Sequence, residues 1–276
     1  MGKQIEIICV GNELLIGKIV NTNAHWLAKR ATSLGVTVKR VTVVSDDVAE
    51  IAKAIRESLK RRLGLIITTG GLGPTFDDKT LQGIARALNR KITLNGKALR
   101  MVKEKYEVYA KDGRIERFEL TAPRLKMAKL PGGSRPLPNP VGTAPGVQAK
   151  VGKTFLIALP GVPSEMKAIF EESVAPLVKK EAGANVFFER SIFIDGIMES
   201  ALAPLVDRVM GDNSYVYIKS HPRGQEKKPH LEVHFSTTAK DLDTAEKCID
   251  DALTQLSQLI EENGGIIRRQ NERQEC

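Results

Sequence analysis

Short apolar runs rich in β-branched residues recur along the first two-thirds of the chain, each followed by a turn and then by apolar positions at helical spacing. Ile5–Val10 reads as a strand that ends at Gly11-Asn-Glu13. Asn21-Thr22-Asn23 predicts the cap of a helix reaching about Leu34, where Gly35 stops it. Val36–Val44 is a second strand, and Ser45-Asp46-Asp47 opens a helix whose Val48, Ile51, Ala52, Ile55 and Leu59 share one face. Leu65–Thr69 is apolar enough to be a strand buried on both faces. Beyond it, Thr75 and Asp78 have capping-box spacing and predict a helix over Lys79–Leu88. A charge-rich helical stretch follows from about Asn95 to Lys111. Lys126–Lys129, Val147–Val151 and Thr154–Leu159 read as strands around Leu130–Gly146, whose proline and glycine content predicts no regular element. Ser164 predicts an N-cap and Lys167–Lys180 its helix. Strands alternating with helices imply an α/β fold, a three-layer αβα arrangement around a mostly parallel sheet.

The pattern changes near residues 180–186. Glu189–Asp195, Tyr215–Lys219 and Leu231–Thr237 read as strands, and Ser200–Met210 and Leu242–Glu262 as helices. This βαββα order predicts a second, smaller α+β domain. The expected division is 1–181, 182–267 and a flexible polar tail over 268–276.

In parallel sheets, ligands bind beyond the carboxyl ends of the strands. Glu13, Asp46 and the pair Asp77-Asp78 all fall just past such ends. The turn containing Gly70, Gly71 and Gly73 exposes backbone N–H groups to an anion. Two adjacent carboxylates would repel a phosphate, so the pair points to a divalent cation bridging protein and phosphate. The alternative is that Asp78 is only an N-cap, worth ~1 kcal/mol, and that Asp77 only favours the helix dipole.

Composition narrows the class. The 276 residues are 42% hydrophobic and 27% charged, an ordinary globular balance, and no apolar run approaches a membrane span. Cys9, Cys248 and Cys276 show no metal-ligand spacing, which fits a reducing cytoplasm. Met1-Gly-Lys-Gln leads into a strand-like run rather than a secretory signal. The net charge of +9 is scattered among acidic residues, so nucleic acid is not expected as a partner, whereas a phosphate-rich small molecule suits it.

Five motifs carry a resemblance: Gly11-Asn-Glu-Leu-Leu-Ile-Gly17, Asn21-Thr-Asn23, Thr69-Gly-Gly-Leu-Gly-Pro-Thr-Phe-Asp-Asp78, Asn139-Pro-Val-Gly-Thr-Ala-Pro-Gly146 and Leu159-Pro-Gly-Val-Pro-Ser-Glu-Met166. The chain resembles the N-terminal part of the CinA family, within the MoaB/MogA-like group of molybdopterin-binding domains. The resemblance implies a pyrophosphatase dependent on Mg²⁺ or Co²⁺ that hydrolyses ADP-ribose-like dinucleotides. Related domains hydrolyse FAD, or bind molybdopterin and its adenylylated form. Carried over by motif, Glu13, Asp46, Asp77 and Asp78 are the expected catalytic residues, with Glu13, Asp77 and Asp78 on the metal. Gly70, Gly71, Gly73 and Thr75 are expected at the diphosphate, Asn139, Gly142, Thr143 and Gly146 on the nucleoside or ribose side, and Asn21 and Thr69 as further substrate-binding residues. Asp47 stands where the family more often has Asn, and Lys79 replaces a usual apolar residue.

The βαββα unit resembles the family's KH-type domain. It carries no Gly-x-x-Gly loop after residue 181, so a structural or oligomerising role is expected, with a homo-oligomer as the assembly. Longer relatives add a nicotinamide mononucleotide deamidase domain, and that activity is not expected here. The competing classes are a pterin- or nucleotide-binding protein without turnover and, more remotely, an RNA-binding protein.

Overall fold

The computed structural model describes residues 4–223 and 230–268. The chain divides into two compact units, Met1–Ala182 and Gly183–Cys276.

The first unit opens with β1 (Gln4–Val10), α1 (Asn12–Leu15), α2 (Thr22–Ser33), β2 (Thr37–Val44) and α3 (Val48–Lys60). It continues with β3 (Leu65–Thr69), α4 (Thr80–Ala87), β4 (Ile92–Leu94), α5 (Gly96–Lys111), α6 (Ala122–Lys126) and β5 (Lys129–Pro131). It closes with β6 (Arg135–Leu137), β7 (Gly146–Val151), β8 (Thr154–Leu159), α7 (Pro163–Ile169), a π-helical turn (Phe170–Val174) and α8 (Ala175–Ala182). A six-stranded sheet has the order β2-β1-β3-β8-β7-β6. Its first four strands are parallel and the last two antiparallel, so the mostly parallel α/β architecture expected from the sequence is the one observed.

Alternation along the inner strands builds a core on each face of the sheet. β1 sends Ile5, Ile7 and Cys9 to one side, where they pack with Leu65, Ile67, Ile157 and Leu159 beneath α2, α7 and α8. Ile8, Val10, Ile66, Leu156 and Ala158 face the other side, beneath α3, α4 and α5. Registers Cys9↔Thr69 and Thr69↔Leu159 bring the carboxyl ends of β1, β3 and β8 level with one another.

Several boundaries differ from expectation. α4 begins at Thr80, and its N-cap Lys79 makes no side-chain capping bond. Thr75 and Asp78 do bond reciprocally, with Thr75 N–H donating to Asp78 Oδ2 at 2.8 Å and Asp78 N–H to Thr75 O at 3.2 Å, but they close a turn upstream of the helix. The helix start is instead tied to the glycine turn, through Thr80 N–H to Gly71 O at 3.2 Å and the Thr80 hydroxyl to Gly70 O at 2.7 Å. The strand expected at Lys126–Lys129 is the end of α6 followed by β5, and the Pro/Gly-rich stretch contains β6. β6 lies at an edge of the sheet, where Pro136 leaves no interior ladder bond unmade. Ser164 is inside α7, whose N-cap is Val162 with Pro163 in the first turn.

In the second unit, β9 (Val186–Asp195), α9 (Glu199–Asp212), β10 (Val216–Pro222), β11 (His230–Ala239), α10 (Leu242–Glu262) and β12 (Ile266–Arg268) build an antiparallel sheet of order β10-β11-β9-β12. Ile192, Ile194, Val216, Ile218, Leu231, Val233 and Phe235 pack against Leu202, Val209, Ile249 and Leu256 of the helices. Arg268, expected at the head of a flexible tail, pairs with Phe193 and places Nε 2.8 Å from Asp195 Oδ2. Residues 269–276 of that tail lie outside the described residues.

One buried charge sits in the first unit. Glu6 is 2% exposed, and its carboxylate accepts from Arg61 Nε at 2.5 Å, from Arg61 Nη2 at 2.7 Å and from the Ser58 hydroxyl at 2.5 Å. Burial opposes its ionisation, but the bonds from Arg61 and Ser58 outweigh it and hold the carboxyl below its ordinary value. A depressed folded-state pKa stabilises the fold above the unfolded value and ceases to do so as pH falls through the folded one. Because Arg61 is a third exposed, Glu6→Gln is expected to cost about 2–3 kcal/mol, below the ~3–5 kcal/mol of a fully buried pair. Urea unfolding at pH 7 and at pH 3 measures it, and the cost should shrink at the lower pH.

Candidate functional site

The glycine turn after β3 exists because two chain segments leave no room for side chains. Gly70 has φ +107°, and a Cβ there would lie 2.1 Å from Val10 O at the end of β1. Gly71 has φ +66°, and its Cβ would lie 2.4 Å from the Thr80 hydroxyl. Beyond them, Asp77 and Asp78 converge on one group. The Thr75 hydroxyl oxygen is 2.5 Å from Asp77 Oδ1 and 2.5 Å from Asp78 Oδ2. A hydroxyl has one proton, so it donates to one carboxylate at a time and the pair keeps an excess of acceptors. The Thr75 hydrogen bond, foremost among the favourable causes, keeps Asp77 below the ordinary carboxylate range, aided by the charges of Lys126 and Lys79. Gly73 makes the room, since a Cβ there would lie 2.7 Å from Asp78 Oδ2.

Lys126, from the end of α6, reaches into this turn and donates to Thr75 O. Burial pushes its ammonium down, against the opposing pull of Asp78 and Asp77. With Lys129, Gly71, Gly73 and Asp78 it lines a cleft of about 150 Å³.

Glu13 lines a different cleft, of about 90 Å³, with Asn21, Asn23, Thr69, Gly70 and Gly161. Asn23 Nδ2 donates to the Thr69 hydroxyl at 3.1 Å and to Gly161 O at 2.8 Å, while its buried Oδ1 has no protein partner. Thr69 donates in turn to Pro160 O at 2.9 Å. Asn21 caps α2 by accepting from Ala24 N–H at 3.0 Å. Asp46 accepts from Asn12 N–H at 2.8 Å, which ties the end of β2 to α1. Asp47 is the cap of α3, accepting from Ala49 N–H at 2.8 Å and Glu50 N–H at 3.0 Å. Those two bonds hold its carboxyl low, and Asn would cap equally well.

Asn139 organises the third motif. Its Oδ1 accepts from Gly142 N–H at 2.8 Å and Val141 N–H at 3.1 Å, and its Nδ2 donates to Ala144 O at 2.8 Å and Glu165 Oε2 at 2.6 Å. The Glu165 carboxylate lies over Gly142, where a Cβ would come within 2.1 Å of it. Asn139, Gly142 and Thr143 border a cleft of about 370 Å³ walled by α5 residues including Lys105 and Tyr109. Gly146 is buried in β7 against Ile169, Ala158 and Leu137, a packing position.

Twelve of the expected residues group into three places, Glu13, Asn21, Thr69 and Gly70; Gly71, Gly73, Thr75, Asp77 and Asp78; and Asn139, Gly142 and Thr143, whereas Asp46 bonds to α1 and Gly146 packs in β7, outside all three. Among the described residues, no three His, Cys, Asp or Glu side chains stand close enough together to hold a metal ion. Sequence reasoning missed Lys126 and Asn23. The Asn23 signal was its place two residues after a helix cap; Lys126 meets Thr75 from 51 residues away with no local signal.

A family model described as a probable molybdopterin binding domain matches residues 6–180. A protein of Pyrobaculum calidifontis is 46% identical over 255 residues, covering 92% of this chain and 94% of that relative. One from Thermoplasma acidophilum is 40% identical over 268 residues, covering 97% and 100%. The crystal structure of the protein CinA, of unknown function, from Thermoplasma acidophilum is similar at 44% identity with a TM-score of 0.55, over 61% of this chain and 95% of that one.

Proposed function

The chain belongs to the molybdopterin-binding domain family through its first unit, and from that premise we propose that it is a divalent-metal-dependent pyrophosphatase cleaving the diphosphate of ADP-ribose-like dinucleotides. The observation that carries this reading is the convergence of Asp77 and Asp78 on the single Thr75 hydroxyl, beside a glycine turn at the carboxyl end of the central strand β3. Hard oxygen donors suit Mg²⁺, which is commonly held by one or two carboxylates plus substrate phosphates rather than by a full protein cage. Asp77 and Asp78 are such a donor set, and the substrate's phosphate oxygens would complete the coordination. Bound there, the ion would neutralise charge on the phosphoryl oxygens.

The chain's own groups supply the rest. The Gly70–Thr75 turn presents backbone donors to the diphosphate. Asn23 holds Thr69 and Gly161 in place, so the ends of β3 and β8 form one rigid rim. Glu13, in the neighbouring motif, is the carboxylate free to orient an attacking water or to add an oxygen to the metal once substrate bridges the clefts. Water attacks one phosphorus in line, the P–O–P bond breaks, and two phosphomonoesters leave, AMP and ribose 5-phosphate in the case of ADP-ribose.

Purified protein incubated with Mg²⁺ or Co²⁺ and ADP-ribose, FAD or NAD should release AMP from at least one of them, and none after chelation. Ligand binding by calorimetry with no AMP from any of the three would replace the enzyme by a pterin- or nucleotide-binding protein.

A further inference from the structure

We propose that Lys126 is a diphosphate-contacting residue, its ammonium serving as a fixed cation that lets an anionic substrate approach Asp77 and Asp78. This deepens the reading above and rests on it. Lys126 comes from α6, outside the glycine turn, yet donates to Thr75 O and lines the same cleft as Gly71, Gly73 and Asp78. An ammonium has three N–H donors, and Thr75 O takes one.

The side chain stands on a rigid base. Met127 and Ala128, the next two residues, are buried in the core under α4 and α5, and Leu130 follows them there. Lys126 itself is half-buried, so much of the entropy lost in fixing a lysine is already lost before ligand arrives. Lys129, by contrast, is exposed and pairs only its backbone, opposite Leu94.

Charge explains why such a group is needed. A dinucleotide diphosphate carries two negative charges near neutral pH, and Asp77 and Asp78 carry two more. One divalent ion offsets half of that total. A third unit of positive charge, within hydrogen-bond reach of the turn that cradles the phosphates, reduces the remaining repulsion at short range, where an unscreened charge matters most. In the ligand-free protein the same ammonium stands beside the carboxylates and competes with any cation that approaches them.

The two roles predict effects of opposite sign, measurable without turnover. Lys126→Met keeps the length of the stem and removes the charge. Titrated calorimetrically with Co²⁺ alone, this variant should bind as tightly as wild type or tighter, because a competitor is gone. Titrated with inorganic pyrophosphate at saturating Co²⁺, it should bind at least roughly tenfold more weakly, the loss of one charge-assisted hydrogen bond. Lys126→Arg should recover most of the pyrophosphate affinity. Unchanged pyrophosphate binding in Lys126→Met, or a Lys126→Arg variant as poor as Lys126→Met, overturns the proposal; the second result makes Lys126 a structural prop for Thr75. A wild-type protein whose pyrophosphate binding depends on Lys126 but which releases no AMP from any dinucleotide would sink the pyrophosphatase reading and leave this one standing.

Discussion

Asp77→Asn is expected to lower metal-dependent AMP release by at least about 100-fold while leaving the fold intact. The two carboxylates are not equivalent in what else they do. Asp78 accepts the Thr75 backbone N–H as well as approaching its hydroxyl, so changing it also disturbs the turn. Asp77 approaches the Thr75 hydroxyl, and an Asn oxygen can still accept from it. The substitution therefore removes a charge and a hard anionic ligand with little change of shape. Losing one ligand of an ion that supplies several kcal/mol of transition-state stabilisation corresponds to about 2.7 kcal/mol or more, or roughly 100-fold. Because Asp77 is exposed, the fold should be nearly as stable as before, with the melting temperature moving by no more than roughly 1–2 °C. Initial rates across a Mg²⁺ titration, together with a melting curve, decide the matter. Near-normal turnover at saturating Mg²⁺ would remove Asp77 from the site.

Much of this site was legible because its parts are local. Leu65–Thr69 is three aliphatic residues followed by two β-branched threonines, is buried throughout, and sits in the middle of the sheet. Its position fixes where the glycines and the aspartate pair emerge. Long amphipathic helices such as α10 are equally readable, since their spacing repeats over several turns. The failures share a different character. The Thr75–Asp78 pair has the spacing of a cap, but the Thr80 hydroxyl bonds Gly70 O, and that longer-range bond sets where α4 begins. β5, β6 and β12 are three residues each, too short for any period, and exist because a neighbouring strand edge accepts them. Gathering Glu13 with Asp77 and Asp78 on one edge was an inference from topology alone. The structure keeps them beyond the carboxyl ends of adjacent strands, but Glu13 lines one cleft and Asp78 another. Lys126 was invisible for the reason that makes it interesting: its partner is the backbone of a distant turn, and nothing in Ala122–Lys126 announces it.

Gly70→Ala tests whether the close approach of β1 and β3, rather than any ligand, demands the glycine. Two independent costs fall on an alanine at this position. Its φ of +107° is a conformation that L side chains rarely adopt, worth about 1–3 kcal/mol of strain. Its Cβ would also stand 2.1 Å from Val10 O, a backbone atom rather than the end of a flexible side chain. Val10 cannot step aside freely, because it is paired with Val44 at the end of β2 and the next residue donates from Gly11 N–H to Val44 O at 3.1 Å. Gly70 is held equally firmly, donating to Leu159 O at 3.0 Å and accepting from the Thr80 hydroxyl. Relieving the overlap means displacing a strand end, at about 1–3 kcal/mol more. The sum, roughly 2–6 kcal/mol, should lower the melting temperature by on the order of 10 °C, a large part of the stability of an ordinary domain. Gly17→Ala is the matched comparison: φ is +69° there, but a Cβ would meet nothing within 4 Å, so only the backbone term of about 1 kcal/mol applies. If the two variants melt alike, the junction of β1 and β3 yields to a methyl group and the glycine is not held there by packing. If Gly70→Ala melts far lower, the turn that carries Thr75, Asp77 and Asp78 is anchored to the sheet by a backbone contact, and its geometry is set before any substrate or metal arrives.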